Sequence, residues 1–252
     1  MLALTDHDDV GGLEEARAAA ADSGICLIDG TEISTSWRNR GIHVVGLHFD
    51  ASCPALLRGL EAIRGGRIER ARRMAADLER IGIAGSLEGA YRYAGNERII
   101  GRAHFARFLV EQGHAKDVKS VFKKFLVKGK PGYVSHQWAE MSEAIAWIRA
   151  CGGIAVLAHP GRYDLGSTNK RELCADFKEA GGEAVEVVSG SHTREQYEEF
   201  AAYAREFDLL ASCGSDFHGP DENYLELGKL PDLPPDCRPV WRGWEEARVL
   251  EN

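Results

Sequence analysis

The chain has 252 residues, of which 44% are hydrophobic and 28% are charged, and its formal net charge at pH 7 is −8. This length suits one large domain or a domain with a substantial insertion, and the negative charge argues against a protein that coats nucleic acid non-specifically. No apolar run approaches the ~20 residues that a membrane span needs, and no cleavable signal precedes the first predicted strand. Six scattered cysteines without a Cys-x-x-Cys pair predict reduced, mostly buried thiols and a cytoplasmic protein.

The first 50 residues combine strand and helix patterns. The opening MLAL is typical of a buried strand, and the alanine-rich stretch 9–23 predicts a helix that Gly24 closes. Strands are predicted in ICLIDGTEIS and IHVVGLHF.

The stretch 54–127 changes character, because three long segments with helical periodicity follow each other without a convincing strand. Basic residues concentrate there, and Arg72 and Arg73 are predicted to form a solvated helix face. We therefore predict a helical insertion at 54–135 that leans over the active face as a substrate lid. Residues 1–53 and 136–252 are predicted to form the domain that carries it.

From residue 140 onward helices and strands alternate again, with strands in IAVLAHP, AVEVVSG and LLASCGSDFHG. The last ~30 residues are predicted to pack over the body as a tail. Alternating elements favour an α/β fold with a mostly parallel sheet.

Polar side chains that can bind metal occur where the predicted strands end, which is the active face of a (β/α) barrel. Glu32 and His43 lie within or at the start of two further strands. Imidazole and carboxylate ligands together suit Zn, Mn or Fe better than Ca or Mg. The sequence predicts a metal site composed of His7, Glu32, His43, His159, Asp216 and His218.

Each histidine taken alone has a plainer interpretation as a hydrogen-bonding loop residue. We assign His48 and His114 to that class and leave His136 open. Glu32 alone could be a solvated acid, although within an apolar strand it needs a partner. The metal-site prediction rests on the set and not on any single residue.

The motifs LTDHDDVGGLEEA, GTEIS, HVVGLHFD, GGIAVLAHPGRYD, VEVVSGSH and GSDFHG resemble the polymerase-and-histidinol-phosphatase (PHP) family of metal-dependent phosphoesterases. The stretches GRAHFARFLVEQG and KGKPGYVSHQW resemble the branch of 3′,5′-nucleoside-bisphosphate phosphatases and 5′→3′ exoribonucleases. The resemblance covers nearly the whole chain. It implies a distorted (β/α)₇ barrel with up to three divalent metals, Mn²⁺ first and Fe²⁺ or Zn²⁺ as alternatives.

Family members begin with a strand that carries His-x-His, and this chain has no His-x-His. We therefore expect that a first βα unit is missing, through a late start assignment or a fragmentary gene. The absent unit would supply two histidines and an aspartate to the metals. Its loss would leave two neighbouring strands with unpaired edges and an open core.

The resemblance also implies where substrate binds. Arg102, His104, Lys130 and Arg162 are the predicted phosphate contacts, and His192 is a predicted substrate contact or general acid. Surface solubility is the alternative explanation for Arg102 and Lys130. We expect a small phosphorylated nucleotide or short RNA as substrate, and no duplex DNA, membrane or obligate protein partner.

The predicted activity is hydrolysis of nucleotide phosphate monoesters, from the 3′,5′-bisphosphate to the nucleoside 5′-phosphate, with short RNA 5′ ends as a further substrate. One alternative is a histidinol-phosphate-type phosphatase of the same family, and the other is an inactive truncated remnant. Nucleophilic serine or cysteine chemistry has little support, because SGS and GSD do not form a G-x-S-x-G elbow.

Overall fold

The computed structural model describes residues 1–135, 138–219 and 225–244. In this part of the chain, seven strands form one curled sheet with the order β1-β2-β3-β5-β6-β7, and β4 pairs with β2 outside that path. The strands are β1 (Leu2–Leu4), β2 (Leu27–Trp37), β3 (Arg40–Leu47), β4 (Ala139–Glu140), β5 (Ile154–Leu157), β6 (Ala184–Ser189) and β7 (Leu210–Gly214). This mixed α/β architecture confirms the predicted fold class.

Helices follow or connect these strands. They are α1 (Leu13–Ser23), α2 (Pro54–Glu79), α3 (Ser86–Tyr91), α4 (Arg102–Glu111), α5 (Val118–Val121), α6 (Met141–Ala150), α7 (Ser167–Glu179) and α8 (Arg194–Glu206). Short 3₁₀ segments lie at Glu97–Ile99 and Pro160–Arg162, and a π-helical turn at Phe122–Leu126 follows α5. Among the described residues, no helix combines the length and apolarity that a membrane crossing requires.

Most strand pairs are parallel, as predicted, but β3 runs antiparallel to both β2 and β5. The cause is a two-residue turn between β2 and β3. Arg38 and Asn39 have φ values of 48° and 62°, the left-handed pair that tight hairpins require. The hairpin places the start of β3, and not its end, at the edge of the sheet where β1 and β5 end.

Helix α1 begins at Leu13, four residues later than predicted. The Asp9 carboxylate accepts hydrogen bonds from the backbone N–H groups of Val10 and Gly11, at 2.9 and 3.2 Å. Such a local side-chain turn competes with helical hydrogen bonding, so the helix begins after it. At the other end Gly24 has a φ of 66° and caps the helix as predicted.

The stretch between β3 and β4 has a hydrophobic core of its own, in which Ile100, Phe105 and Leu109 are almost fully buried. Helix α2 belongs to both cores. Its first half packs Leu56, Leu60 and Ile63 into the main core, and its second half packs Ala71, Met74 and Leu78 into the other one. The change from one core to the other therefore falls within α2. That this stretch acts as a lid stays a prediction.

Two cysteines depart from the prediction of reduced thiols. Cys53, which precedes α2, and Cys151, which follows α6, form a disulfide across a sequence separation of 98 residues. The spacing along the chain gave no sign of this pairing, because packing of α2 against α6 brings the two ends together. The prediction is wrong for this pair, while Cys26, Cys174, Cys213 and Cys237 are free.

In the described part of the predicted tail, residues 225–244, Val240 is buried and Pro239 bridges to Ala211 of β7, so this part packs over the body. His136, whose role the sequence left open, lies outside the described residues.

Candidate metal centre

Three histidines surround the carboxylate of Glu32 in the middle of β2. His43 Nδ1 lies 2.5 Å and His159 Nε2 2.8 Å from Glu32 Oε1, and His7 Nδ1 lies 3.8 Å from Glu32 Oε2. These residues come from four separate segments of the sheet. The structure therefore brings Glu32 and His159 together on one face.

The chain after β1 sets the position of His7. Glu32 N donates a hydrogen bond to Asp6 O at 3.0 Å, and Asp8 N donates to Glu32 O at 2.9 Å. These two bonds extend the pairing with β2 beyond the end of β1. His7 lies between them and is held beside the glutamate.

Asp216 and His218 follow β7 on the other side of the cluster. Glu32, His159 and Asp216 offer ligand atoms within 4.8 Å of one another, and so do His7, Glu32 and His43. The His218 ring lies 5.7 Å from the ring of His7 and is more exposed than the others. All six predicted ligands thus lie in one cluster of side chains, and Glu32 belongs to both groups.

Three residues of this region have left-handed backbone although none is glycine. The φ values are 52° at Asp8, 29° at His159 and 54° at Asp216. A non-glycine residue with left-handed backbone costs of order 1–3 kcal/mol, and such residues concentrate at functional sites. The strain lies where β1, β5 and β7 end.

The electrostatics of the cluster favour an ionised carboxylate. Burial acts to raise the pKa of Glu32, but interaction with the protonated forms of His7 and His43 and hydrogen bonds with His159 and His43 hold it well below its usual range. Burial lowers the pKa of His7 to about 4, whereas for His159 burial is outweighed by the hydrogen bond with Glu32, which raises its pKa. A metal ion requires an ionised carboxylate and neutral imidazoles, so its binding would release any proton held on His159.

The donor set fits a divalent transition metal. Nitrogen and carboxylate oxygen ligands in this ratio are those that Zn, Mn and Fe accept. The buried Nδ1 atoms of His7 and His159 have no hydrogen-bond partner among the described residues. Unsatisfied buried nitrogens are uncommon in folded proteins and suit metal coordination.

The structure adds residues to the site that the sequence analysis did not single out. Glu186 Oε2 accepts a hydrogen bond from the His159 backbone N–H at 2.6 Å, and burial raises the pKa of this carboxyl to about 7. The Tyr163 hydroxyl accepts from His43 N at 2.8 Å and donates to Ala158 O at 3.0 Å. An acid within the apolar run AVEVVS was a visible signal for Glu186, by the reasoning applied to Glu32.

A buried ion pair joins this site to α2. The fully buried Asp8 carboxylate accepts from Arg67 Nε and from Ser34 N, both at 2.6 Å. Arg67 Nη2 also donates to Ser34 Oγ at 2.7 Å, and its guanidinium lies 4.8 Å from the centre of the Trp138 ring. The residue that follows His7 is thereby tied to the helical stretch.

Among the predicted phosphate contacts, Arg102 is half-buried, and burial followed by repulsion from Arg162 and Arg67 lowers its pKa. Arg162 Nη1 donates to Asp216 Oδ2 at 2.8 Å, which places it at the cluster. His104 Nδ1 accepts from Gly101 N at 3.1 Å and caps α4. Lys130 is exposed. Arg162 therefore lies beside a metal-binding side chain, and Arg102 lies within electrostatic range of Arg162. His104 is likewise within range of Arg67, but its Nδ1 is used for the cap of α4.

The catalytic role predicted for His192 does not fit its geometry. Its Nε2 accepts from Gly161 N at 2.9 Å, so the proton lies on Nδ1, which donates to Val187 O at 3.1 Å. Burial lowers the pKa of this imidazole. Both ring nitrogens are occupied by backbone groups, and His192 supports the turn after His159 instead of presenting a proton to substrate.

His48 and His114 belong to neither group of candidate metal ligands, as predicted. His48 stacks on Trp244 with ring centres 5.2 Å apart, and His114 contacts Phe125. His48 follows the end of β3, and β3 runs in the opposite direction to its neighbours. It therefore lies away from His43 at the other end of that strand.

No family model matches the chain. The chain is 54% identical over 250 residues to the 3′,5′-nucleoside bisphosphate phosphatase of Chromobacterium violaceum, and the alignment covers 99% of this chain and 87% of that protein. It is 44% identical over 249 residues to the 5′-3′ exoribonuclease Rnm of Escherichia coli, covering 98% of this chain and 84% of the relative. The chain belongs to the PHP family of metal-dependent phosphoesterases.

Solved structures agree with this family. An amidohydrolase from Chromobacterium violaceum, solved with bound sulfate and no metal, superposes with a TM-score of 0.92 at 53% identity, over 97% of this chain and 85% of that one. A candidate metal-dependent phosphoesterase from Bifidobacterium adolescentis superposes with a TM-score of 0.79 at 26% identity, over 96% and 83%. The PHP member described here is a hydrolase of phosphoric esters.

Proposed function

We propose that this chain removes the 3′-phosphate from 3′,5′-nucleoside bisphosphates to leave the nucleoside 5′-phosphate, and that it also acts on short RNA 5′ ends. The observation that carries the proposal is the Glu32 carboxylate held among His7, His43 and His159. The names of the relatives supply the substrate class. Since those substrates are nucleotides and RNA, we place the activity in the cytoplasm.

Two groups of ligands would hold the metals, His7 with Glu32 and His43, and His159 with Glu32 and Asp216. We propose Mn²⁺ as the working ion, with Fe²⁺ or Zn²⁺ as alternatives that the same donors accept. Bound metals of this kind activate water and neutralise phosphate oxygens. His218 lies at the margin, where it would complete the group of His7.

The remaining task of the chain is to bind and orient the phosphate. We assign this role to Arg102 and Arg162, whose mutual repulsion would be relieved by an anion between them. A guanidinium binds phosphate oxygens in a bidentate manner, which fixes orientation as well as charge. In the same arrangement Asp8, Arg67 and Tyr163 hold the backbone of the ligand segments in place.

The test is phosphate release by the purified chain. The protein is stripped of metal and reconstituted separately with Mn²⁺, Zn²⁺, Fe²⁺ or Mg²⁺, then assayed on adenosine 3′,5′-bisphosphate, adenosine 3′-phosphate and histidinol phosphate. We expect the highest kcat/KM on the bisphosphate with Mn²⁺. A preference for histidinol phosphate would favour the other branch of the family, and absence of release with every ion would favour an inactive remnant.

A further inference from the structure

Strand β6 is buried along its whole length and carries one charged side chain, Glu186. A carboxylate is costly to bury and is retained where its oxygens have partners. Glu186 belongs neither to the predicted ligands nor to the two ligand groups around Glu32. The group to which Glu186 is hydrogen-bonded indicates its role.

Glu186 Oε2 accepts the backbone N–H of His159 at 2.6 Å. His159 has φ 29° and ψ 54°, a strained backbone for a residue with a Cβ. Strained residues persist only where the surroundings hold them. The hydrogen bond from Glu186 holds the amide on one side, while the imidazole reaches Glu32 on the other.

The neighbouring strand is shaped around the Glu186 side chain. The pairing of β6 with β7 shifts register between Glu186 and Val188, as a β-bulge does. Bulges re-aim side chains beside active sites. Gly214 of β7 lies close to the carboxylate, and a Cβ at this position would overlap Glu186 Oε1. The bulge and the glycine together leave room for this one side chain.

We infer that Glu186 is a positioning residue that holds the backbone of His159 so that its imidazole meets Glu32. It acts through His159 and touches neither metal nor substrate. The inference deepens the proposed function, because it rests on His159 being a metal ligand.

An alternative account is that the negative charge of Glu186 attracts the metals directly. Glutamine separates the two accounts, because its carbonyl oxygen can still accept the His159 N–H while the charge is lost. We therefore expect Glu186→Gln to behave like the wild type and Glu186→Ala to be defective. Glu183→Ala, which removes a partly exposed carboxylate next to the same strand, is the matched control.

Amide hydrogen exchange of the metal-free protein measures how firmly the backbone N–H of His159 is held, and this measurement does not depend on activity. In Glu186→Ala the amide of His159 should exchange roughly tenfold faster or more, as expected when a buried N–H loses its acceptor and is left unsatisfied. Isothermal titration calorimetry with Mn²⁺ should show a Kd raised by roughly tenfold in the same variant. Glu186→Gln and Glu183→Ala should match the wild type in both measurements.

Gly214→Ala provides a second route, because its methyl group displaces Glu186 without removing it. It should reproduce the faster exchange at His159 even if Glu186→Ala fails to fold. Unchanged exchange in both variants, or a Glu186→Gln variant as defective as Glu186→Ala, would overturn the inference. If the wild type binds no Mn²⁺, the proposed function fails, while the exchange at His159 still decides whether Glu186 positions it.

Discussion

The strand ends of the sheet and the helical stretch between β3 and β4 are stabilised in different ways. At the strand ends Glu32 and His159 are buried polar groups, and Asp8, His159 and Asp216 have strained backbone. The helical stretch instead packs a conventional apolar core around Phe105 and Leu109. The comparison indicates that the strand ends combine strained backbone with buried polar groups where the predicted metal ligands lie, whereas apolar packing stabilises the helical stretch.

The two regions meet through charge and not only through apolar packing. Arg67 of α2 binds the carboxylate of Asp8, and Arg64 Nη1 donates to Asp8 O at 2.8 Å. Asp8 follows His7 directly in the chain. A substitution on α2 can therefore alter the position of the metal-binding residues.

The largest effect is expected at the centre of the sheet region. Glu32→Gln removes the charge common to both ligand groups, so metal binding should be lost, and kcat/KM should fall by on the order of a thousandfold or more. Calorimetry with Mn²⁺ and phosphate release measure the two effects. Glu79→Gln, an exposed acid at the end of α2, is the control, and an equal loss there would contradict the assignment.

The second effect concerns the contact between the regions. Arg67→Met leaves the Asp8 charge buried without its main partner, which should lower the free energy of unfolding by about 3–5 kcal/mol. Arg72→Met removes an exposed arginine of the same helix and should change it by less than about 0.5 kcal/mol. Urea unfolding measures both variants. An equal loss of unfolding free energy in the two would show that the buried pair of Arg67 with Asp8 contributes no more to stability than an exposed arginine does.

The third effect is redox-dependent. The disulfide of Cys53 with Cys151 closes nearly the whole helical stretch into one loop, so its reduction should lower the free energy of unfolding by about 2–4 kcal/mol. For a chain of this size the melting temperature should fall by roughly 4–16 °C. Thermal unfolding with and without dithiothreitol measures this shift. Cys53→Ser should melt low and be insensitive to the reductant, and an insensitive wild type would contradict the pairing.

The fourth effect separates substrate binding from metal binding. Arg102→Ala should lower kcat/KM on the bisphosphate by roughly 10- to 100-fold, the effect of losing a charged hydrogen bond, and leave the Kd for Mn²⁺ unchanged. Arg73→Ala, an exposed arginine of α2, serves as control. If the kinetics of Arg102→Ala are unaltered, Arg102 does not bind substrate, and the alternative explanation of surface solubility holds.

The smallest effect is expected at the far end of β3. His48→Asn loses a stacking contact with Trp244 but keeps a residue type that tolerates the left-handed backbone. Its cost in stability should be less than about 1 kcal/mol, with unchanged Mn²⁺ affinity. Calorimetry and urea unfolding check this, and weakened metal binding would show that His48 belongs to the site.

Polar residues at strand ends were predictable, because a strand pattern followed by His or Asp places a ligand at a known edge of the sheet. His7 and His159 were found in this way, and Glu32 was found as an acid within an apolar strand. The Cys53–Cys151 pair and the contact of Arg67 with Asp8 were not, since both join residues that are distant in the chain and meet only through packing of α2. The hydrogen bonds of His192 depend on a turn geometry that no motif encodes.

The most direct measurement of the assignment is an anomalous difference map from a crystal soaked in Mn²⁺, recorded at a wavelength where manganese scatters anomalously. We expect peaks within coordination distance of Glu32, one toward His7 and His43 and one toward His159 and Asp216. Peaks confined to other parts of the molecule, or none beside Glu32 at saturating Mn²⁺, would contradict the placement of the metals in the sheet region.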